Sequence, residues 1–140
     1  MGEIEASVAV HEGLFTREGG KIQLIGGKCT RCGEHHFPRS TTCPYCSAGE
    51  TVEVLLSDTG RLWAWTAVHA PPPGYEGDIP FGFGVVELPE GVRVITRLTQ
   101  AAPQKLAFRQ QMKTVVAPLH VDEQNRQVIT YAFSPVEDAR

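Results

Sequence analysis

Long apolar runs are missing from this sequence: stretches such as 115–119 last only a few residues, against the roughly 20 needed to cross a bilayer. No membrane partner is expected. A basic excess is missing too, since 13 Lys+Arg face 16 Asp+Glu for a net charge of −3. Without surplus positive charge to neutralise a phosphate backbone, nucleic acid is a disfavoured partner. The start, Met-Gly-Glu-Ile-Glu-Ala, is acidic where a signal peptide is basic, and Ala6 stands where a myristoylation motif takes Ser or Thr. A cytoplasmic location is expected. Catalytic signatures are equally scarce: there is no G-x-x-x-x-G-K-[ST], no H-E-x-x-H and no G-x-S-x-G. Gly82-Phe83-Gly84-Val85-Val86-Glu87 lacks the third glycine and the following helix of a dinucleotide loop. His69 and His120 have no recognisable carboxylate and nucleophile partners and read as packed or surface residues.

What is present points to a small β-rich protein. The chain has 140 residues with 14 Gly and 10 Pro, a turn-rich composition for a modest core. All four cysteines lie between positions 29 and 46, whereas the long alternating stretches follow position 51. Two modules are expected, at 1–50 and 51–140. In the first, Val8, Val10, Leu14 and Phe15 suit a short helix over 7–16, interrupted by Gly13. A strand over 21–25 should end at Gly26-Gly27. In the second, strands are predicted over 52–56, 61–69, 81–88, 92–99, 115–121 and 127–133. Val92, Val94, Thr96 and Leu98 should face inward. Leu62, Ala64, Thr66 and Val68 should share one face of a central strand covered on both sides, at least along part of its length. Pro89-Glu90-Gly91 suits a hairpin loop, and five or so strands fit a small Greek-key barrel of the OB type better than a sandwich of seven or more. Gly82 and Gly84 alternate along one strand, so something bulky approaches that face, either a packed side chain or a ligand.

Cys29-Thr30-Arg31-Cys32 and Cys43-Pro44-Tyr45-Cys46 are two C-x2-C pairs separated by ten residues. Four thiolates so spaced close a tetrahedron around one metal, and the metal replaces a core that so short a segment cannot build. Structural zinc on Cys29, Cys32, Cys43 and Cys46 fits best. Iron in a rubredoxin-like site uses the same ligands, and disulfides or a redox pair would suit an oxidising compartment or a βαβ context instead. His35 and His36, between the knuckles, read as solvent-facing residues of a turn. With every thiol on a closed metal, no nucleophile or Lewis-acid position remains, and the chain alone is expected to be non-catalytic.

The double knuckle followed by Gly60-Arg61-Leu62-Trp63-Ala64-Trp65-Thr66-Ala67-Val68-His69, then Ile79-Pro80-Phe81-Gly82-Phe83-Gly84-Val85-Val86-Glu87-Leu88, Glu90-Gly91-Val92-Arg93 and Tyr131-Ala132-Phe133-Ser134-Pro135, resembles one family. It is the zinc-ribbon plus OB-fold family catalogued as domain of unknown function thirty-five, matched from about 14 to 135. The resemblance implies a mainly β fold: a short N-terminal helix, a rubredoxin-like zinc ribbon and a five-stranded OB barrel. It implies a non-catalytic accessory subunit that binds a thiolase, a related condensing enzyme or a MaoC-type hydratase. The partner does the chemistry, with acyl-CoA or CoA as ligand of the complex. Under that reading the loop 71–81 and the strand after it, through Tyr75, Ile79, Phe81, Gly82 and Phe83, would contact partner or CoA. A single-stranded nucleic-acid-binding ribbon/OB module is the rival reading. In two places the chain departs from the family. Ser47 follows Cys46 where many relatives have glycine, and the stretch 108–113 lacks the glycine common before the fourth barrel strand.

Overall fold

A computed structural model describes residues 7–9, 14–17, 21–70, 72–73, 79–121 and 123–136. Strands dominate these residues. β1 (Ser7–Ala9), β2 (Phe15–Thr16), β3 (Gln23–Cys29), β4 (His35–His36) and β5 (Thr51–Leu55) come first. They are followed by β6 (Thr59–Val68), β7 (Phe81–Glu87), β8 (Arg93–Leu98), β9 (Gln111–Val121) and β10 (Gln127–Pro135). One 3-10 turn, Pro103–Lys105, breaks the connection from β8 to β9.

β6 to β10 close into the expected five-stranded barrel. The meander β6-β7-β8 is antiparallel, β9 pairs with both β6 and β10, and β10 meets β8 in parallel at Phe133↔Leu98. No strand in that ring has two free edges, which removes the usual hazard of an open sheet. Alternation sets the interior. Val92, Val94, Thr96 and Leu98 are all buried, as their period-2 pattern predicts, and Leu62, Val86, Leu88, Met112 and Phe133 complete the lining.

The N-terminal segment is a correction. Where a short helix was expected over 7–16, its described residues form β1, parallel to the first residues of β10, and β2, antiparallel to β3. Residues 10–13 lie outside the described residues. Pairing onto the open edge of β10 outweighs a weak helical pattern that already contained Gly13. β3 also runs through Gly26-Gly27 instead of stopping there. A side chain at either glycine would collide with His36, and at Gly26 also with Leu56. The glycines are therefore sites of close packing and not of chain reversal.

A second correction concerns β6. The β6–β7 register slips between Leu62 and Ala64, leaving Trp63 as an extra residue. Such a bulge exchanges the two faces. Leu62 is buried before it, whereas Ala64 and Thr66 are exposed after it and Trp65 packs on the core. Along its edges the strand pairs with β7 from residue 61 onward and with β9 at residues 59–61.

β5 pairs with β3, from Ile25↔Leu55 to Cys29↔Thr51, and β4 flanks β3 at Gly27 and Lys28. This small sheet and the barrel share one apolar core: Phe15, Leu24 and Leu56 cluster with Leu62, Val94, Met112 and Phe133. Polar ties cross the same junction. The Thr114 hydroxyl lies against the carbonyls of Ile22 and Asp58, and the rings of Phe37 and Tyr131 meet edge to face with centres 5.6 Å apart.

Candidate functional site

Beyond this shared core, the ribbon ends in two knuckles with the same backbone design. The Cys29 amide donates to Glu34 O at 3.0 Å and that of Cys43 to Ala48 O at 2.8 Å. The Gly33 amide returns to Cys29 O at 2.9 Å, and the Ser47 amide to Cys43 O at 2.9 Å. In each knuckle the first cysteine is buried, the second exposed, and the residue after the second has positive φ: +82° at Gly33, +68° at Ser47. Ser47 thus takes the left-handed conformation for which glycine is the ordinary choice. The serine in this family-glycine position changes the residue and keeps the turn.

The knuckles bring all four Sγ atoms within 4.8 Å of one another. Cys29–Cys46 and Cys32–Cys43 are each 3.6 Å apart. Zinc–sulfur bonds of about 2.3 Å in a tetrahedron require sulfur–sulfur edges of about 3.8 Å. The donor set therefore fits the metal, and none of the four sulfurs is joined in a disulfide.

Backbone amides prepare part of the charge. The Cys32 N–H, then that of Arg31, hold the Cys29 thiol down to about 7. Cys32 itself is helped toward ionisation by the Glu34 amide, yet burial and the neighbouring sulfurs push it up to about 12. Cys43 falls although burial opposes it, because the amides of Cys46 and Tyr45 outweigh that burial. Cys46 has an amide contact from Ala48 but rises through burial and Cys29. Four thiolates crowded together cannot all ionise near neutral pH without a cation between them.

His36 lies beside this cluster and not in it. It is 3% exposed, over Gly27, with Nε2 in hydrogen-bonding contact with the Ser40 backbone at 3.1 Å. The expectation of a solvent-facing turn fails for His36 because glycine on β3 leaves room for its ring. Among the described residues, no other group of three or more His, Cys, Asp or Glu side chains gathers closely enough to hold a metal. Nor does any helix among them have the length and apolarity to cross a membrane.

The residues expected to touch partner or CoA fall on and beside the outer face of β7. Ile79 is 47% exposed and Phe83 37%, and Phe81 is half-buried beneath the Arg97 guanidinium, 4.9 Å from its ring centre. Tyr75 lies outside the described residues. Gly82 is buried: Leu98 and the Gln100 carbonyl occupy the space a Cβ would need, and Ala64 O does the same at Gly84. Packing within the barrel accounts for both glycines.

Pairing of Phe83 with Arg97 and Val85 with Ile95 places Ile95 on that outer face, where it is 63% exposed. The inward alternation of Val94 and Thr96 was the available signal for Ile95. Phe108, 55% exposed, joins Trp63 at 5.4 Å, and Arg93 stacks over Trp63 at 4.0 Å. No local pattern foretold that contact, because it joins a loop to a bulge.

Four cysteines at the end of a small ribbon, continuous through a shared core with a closed OB barrel, define a zinc-ribbon/OB protein. Two family models match in the same order: the ChsH2 rubredoxin-like zinc ribbon domain over 17–53 and the ChsH2 C-terminal OB-fold domain over 53–117. A DUF35 domain-containing scaffold protein of Methanocaldococcus jannaschii is 31% identical over 118 residues, covering 82% of this chain and 83% of that protein. The chain belongs to the DUF35 family. It is also similar to the benzoylsuccinyl-CoA thiolase subunit BbsA of Thauera aromatica, at 27% identity over 81% of this chain and 76% of that subunit. Among solved structures, one described as an Ltp2-ChsH2(DUF35) aldolase matches with a TM-score of 0.61 and 26% identity, covering 81% of this chain and 84% of that one.

Proposed function

We propose that this chain is a non-catalytic accessory subunit of a thiolase-type acyl-CoA-processing complex, docking on a catalytic subunit and helping to position the acyl-CoA. The observation that carries the reading is the match, along most of both chains, to a named thiolase subunit. The structural match to an aldolase that includes a DUF35 chain supports the same kind of hetero-oligomer. Cys29, Cys32, Cys43 and Cys46 hold one structural zinc, whose chemistry is cross-linking: it fixes the ribbon without an open coordination position. Ile79, Phe81 and Phe83, with Tyr75, form the partner- or CoA-contacting surface. Exposed Ile79, Phe83 and Ile95 suit the apolar centre of an interface.

The narrower reading is thiolysis of benzoylsuccinyl-CoA in anaerobic toluene degradation, supported by two BbsA relatives at 27% and 25% identity. Copurification from native cells at moderate salt, with the stoichiometric partner identified by mass spectrometry, tests the proposal. A thiolase or condensing enzyme is the expected partner, and its acyl-CoA preference decides the narrower reading. Recovery of single-stranded nucleic acid in place of a protein would overturn both.

A further inference from the structure

Where β8 ends, β9 begins and β10 finishes, the barrel leaves a cleft of about 920 Å³ that the docking face does not include. Arg61 and Lys105 line it together with Gln100, Gln110, Thr99 and Ser134, and among the described residues no carboxylate does. For a chain of net charge −3, two cations and no acid among the described lining residues run against the average surface.

Of the three glutamines in the lining, Gln100 and Gln110 are fixed in a particular sense. The Gln100 side-chain oxygen accepts the Ala102 amide at 3.0 Å, and that of Gln110 accepts the Ala107 amide at 3.0 Å. With the oxygens engaged by the backbone, the NH2 groups are the parts left to offer a ligand. Arg61 is steadied by its own contact, Nη1 to Arg109 O at 3.4 Å. Lys105 is the last residue of the 3-10 turn, which is tied back by its amide to Ala102 O at 3.0 Å. Glu87, the cross-strand partner of Arg61, lines a separate hollow and is engaged by Arg93 at 3.3 Å.

We propose that this cleft binds a phosphate-bearing anion, a diphosphate or phosphate ester, through Arg61 and Lys105 with the amide and hydroxyl donors around them. A guanidinium, an ammonium, two amides and two hydroxyls exceed what the two oxygens of a single carboxylate engage. They match the several oxygens and higher charge of a phosphoryl group. The site stands apart from the accessory-subunit reading, and pyrophosphate binding by the chain alone keeps it even where no thiolase partner is recovered.

Isothermal titration of the zinc-loaded full chain with inorganic pyrophosphate at low ionic strength tests the assignment. Saturable binding is expected, weakened roughly tenfold by Arg61→Gln or by Lys105→Gln, and unchanged by Lys28→Gln on the ribbon. Lys105 is exposed on a turn, so its variant keeps the test valid should Arg61→Gln disturb β6. A parallel titration with adenosine 3′,5′-bisphosphate separates the sources. Tighter binding than pyrophosphate assigns the cleft to a nucleotide's phosphates, and equal binding to the free anion. Absence of binding to both probes overturns the proposal. So does unchanged affinity in the double variant, or an equal loss in Lys28→Gln.

Discussion

The ribbon tip and the barrel solve the same problem of cohesion by different means. In the barrel, Leu62, Val86, Val94, Met112 and Phe133 fill a closed interior with apolar surface. At the ribbon tip the corresponding cluster is only Cys29, Cys43 and Ala48, while Tyr45 is left 62% exposed. So little apolar burial cannot offset the conformational entropy of ordering the knuckles. A sulfur-bound metal can, and the base of the ribbon needs none because Phe15, Leu24 and Leu56 enter the barrel core. The two regions thus differ at the tip and merge at the root.

The contrast breaks most severely with the metal. Chelation, or Cys43→Ser, is expected to remove zinc, whose binding in isolated ribbons is of order 10 kcal/mol. Amide-exchange protection should then vanish over 29–50 and persist in β7 and β8. Zinc near one per chain by elemental analysis checks the starting state. Next in size is Leu24→Ala. By deleting a ribbon side chain from the shared core it should cost about 3 kcal/mol, and it should lower one common thermal transition, not a separate ribbon step.

Smaller and opposite in sign are Ser47→Gly and Arg109→Gly. Both residues have φ of +68°, and glycine there should stabilise by about 1 kcal/mol each, the first in the ribbon and the second in the barrel, read as midpoint shifts in denaturant. Smallest is an alkaline effect at the junction. Burial raises the Tyr131 hydroxyl above its usual value, and that hydroxyl donates to Ile95 O at 3.1 Å. A folded pKa above the unfolded one means that its contribution is complete below about pH 10 and is lost as pH rises through the folded value. The melting temperature of the unmodified chain should fall over that range, and Tyr131→Phe should flatten the fall.

Arg109 and Ser47 also show how a sequence can mislead locally. Ser47 follows Cys46 where many relatives have glycine, and Arg109 lies in the stretch 108–113 that lacks the glycine common before the fourth barrel strand, which puts both turns in question from sequence alone. The structure keeps both turns because surrounding bonds outweigh the left-handed cost: Arg109 N to Leu62 O at 2.7 Å in one, Ser47 N to Cys43 O in the other. At the N-terminus the error ran the other way. Val8, Val10, Leu14 and Phe15 read as a short helix, but the edge of β10, more than a hundred residues later, offered Ser7–Ala9 backbone partners that local propensity could not anticipate.

The sequence by itself determined the knuckles, the inward face of β8 and the hairpin between β7 and β8, because each depends on spacings of a few residues. His36 escaped it, since its burial depends on a glycine across the sheet. Only the tertiary structure decided that ribbon and barrel share a core, that Trp63 bulges and reverses the face of β6, and that Arg61, Lys105 and Ser134 meet at one cleft. Those features join residues separated by tens of positions. Their contact follows from how the barrel closes, and closure is a property of all five strands together, not of any segment read alone.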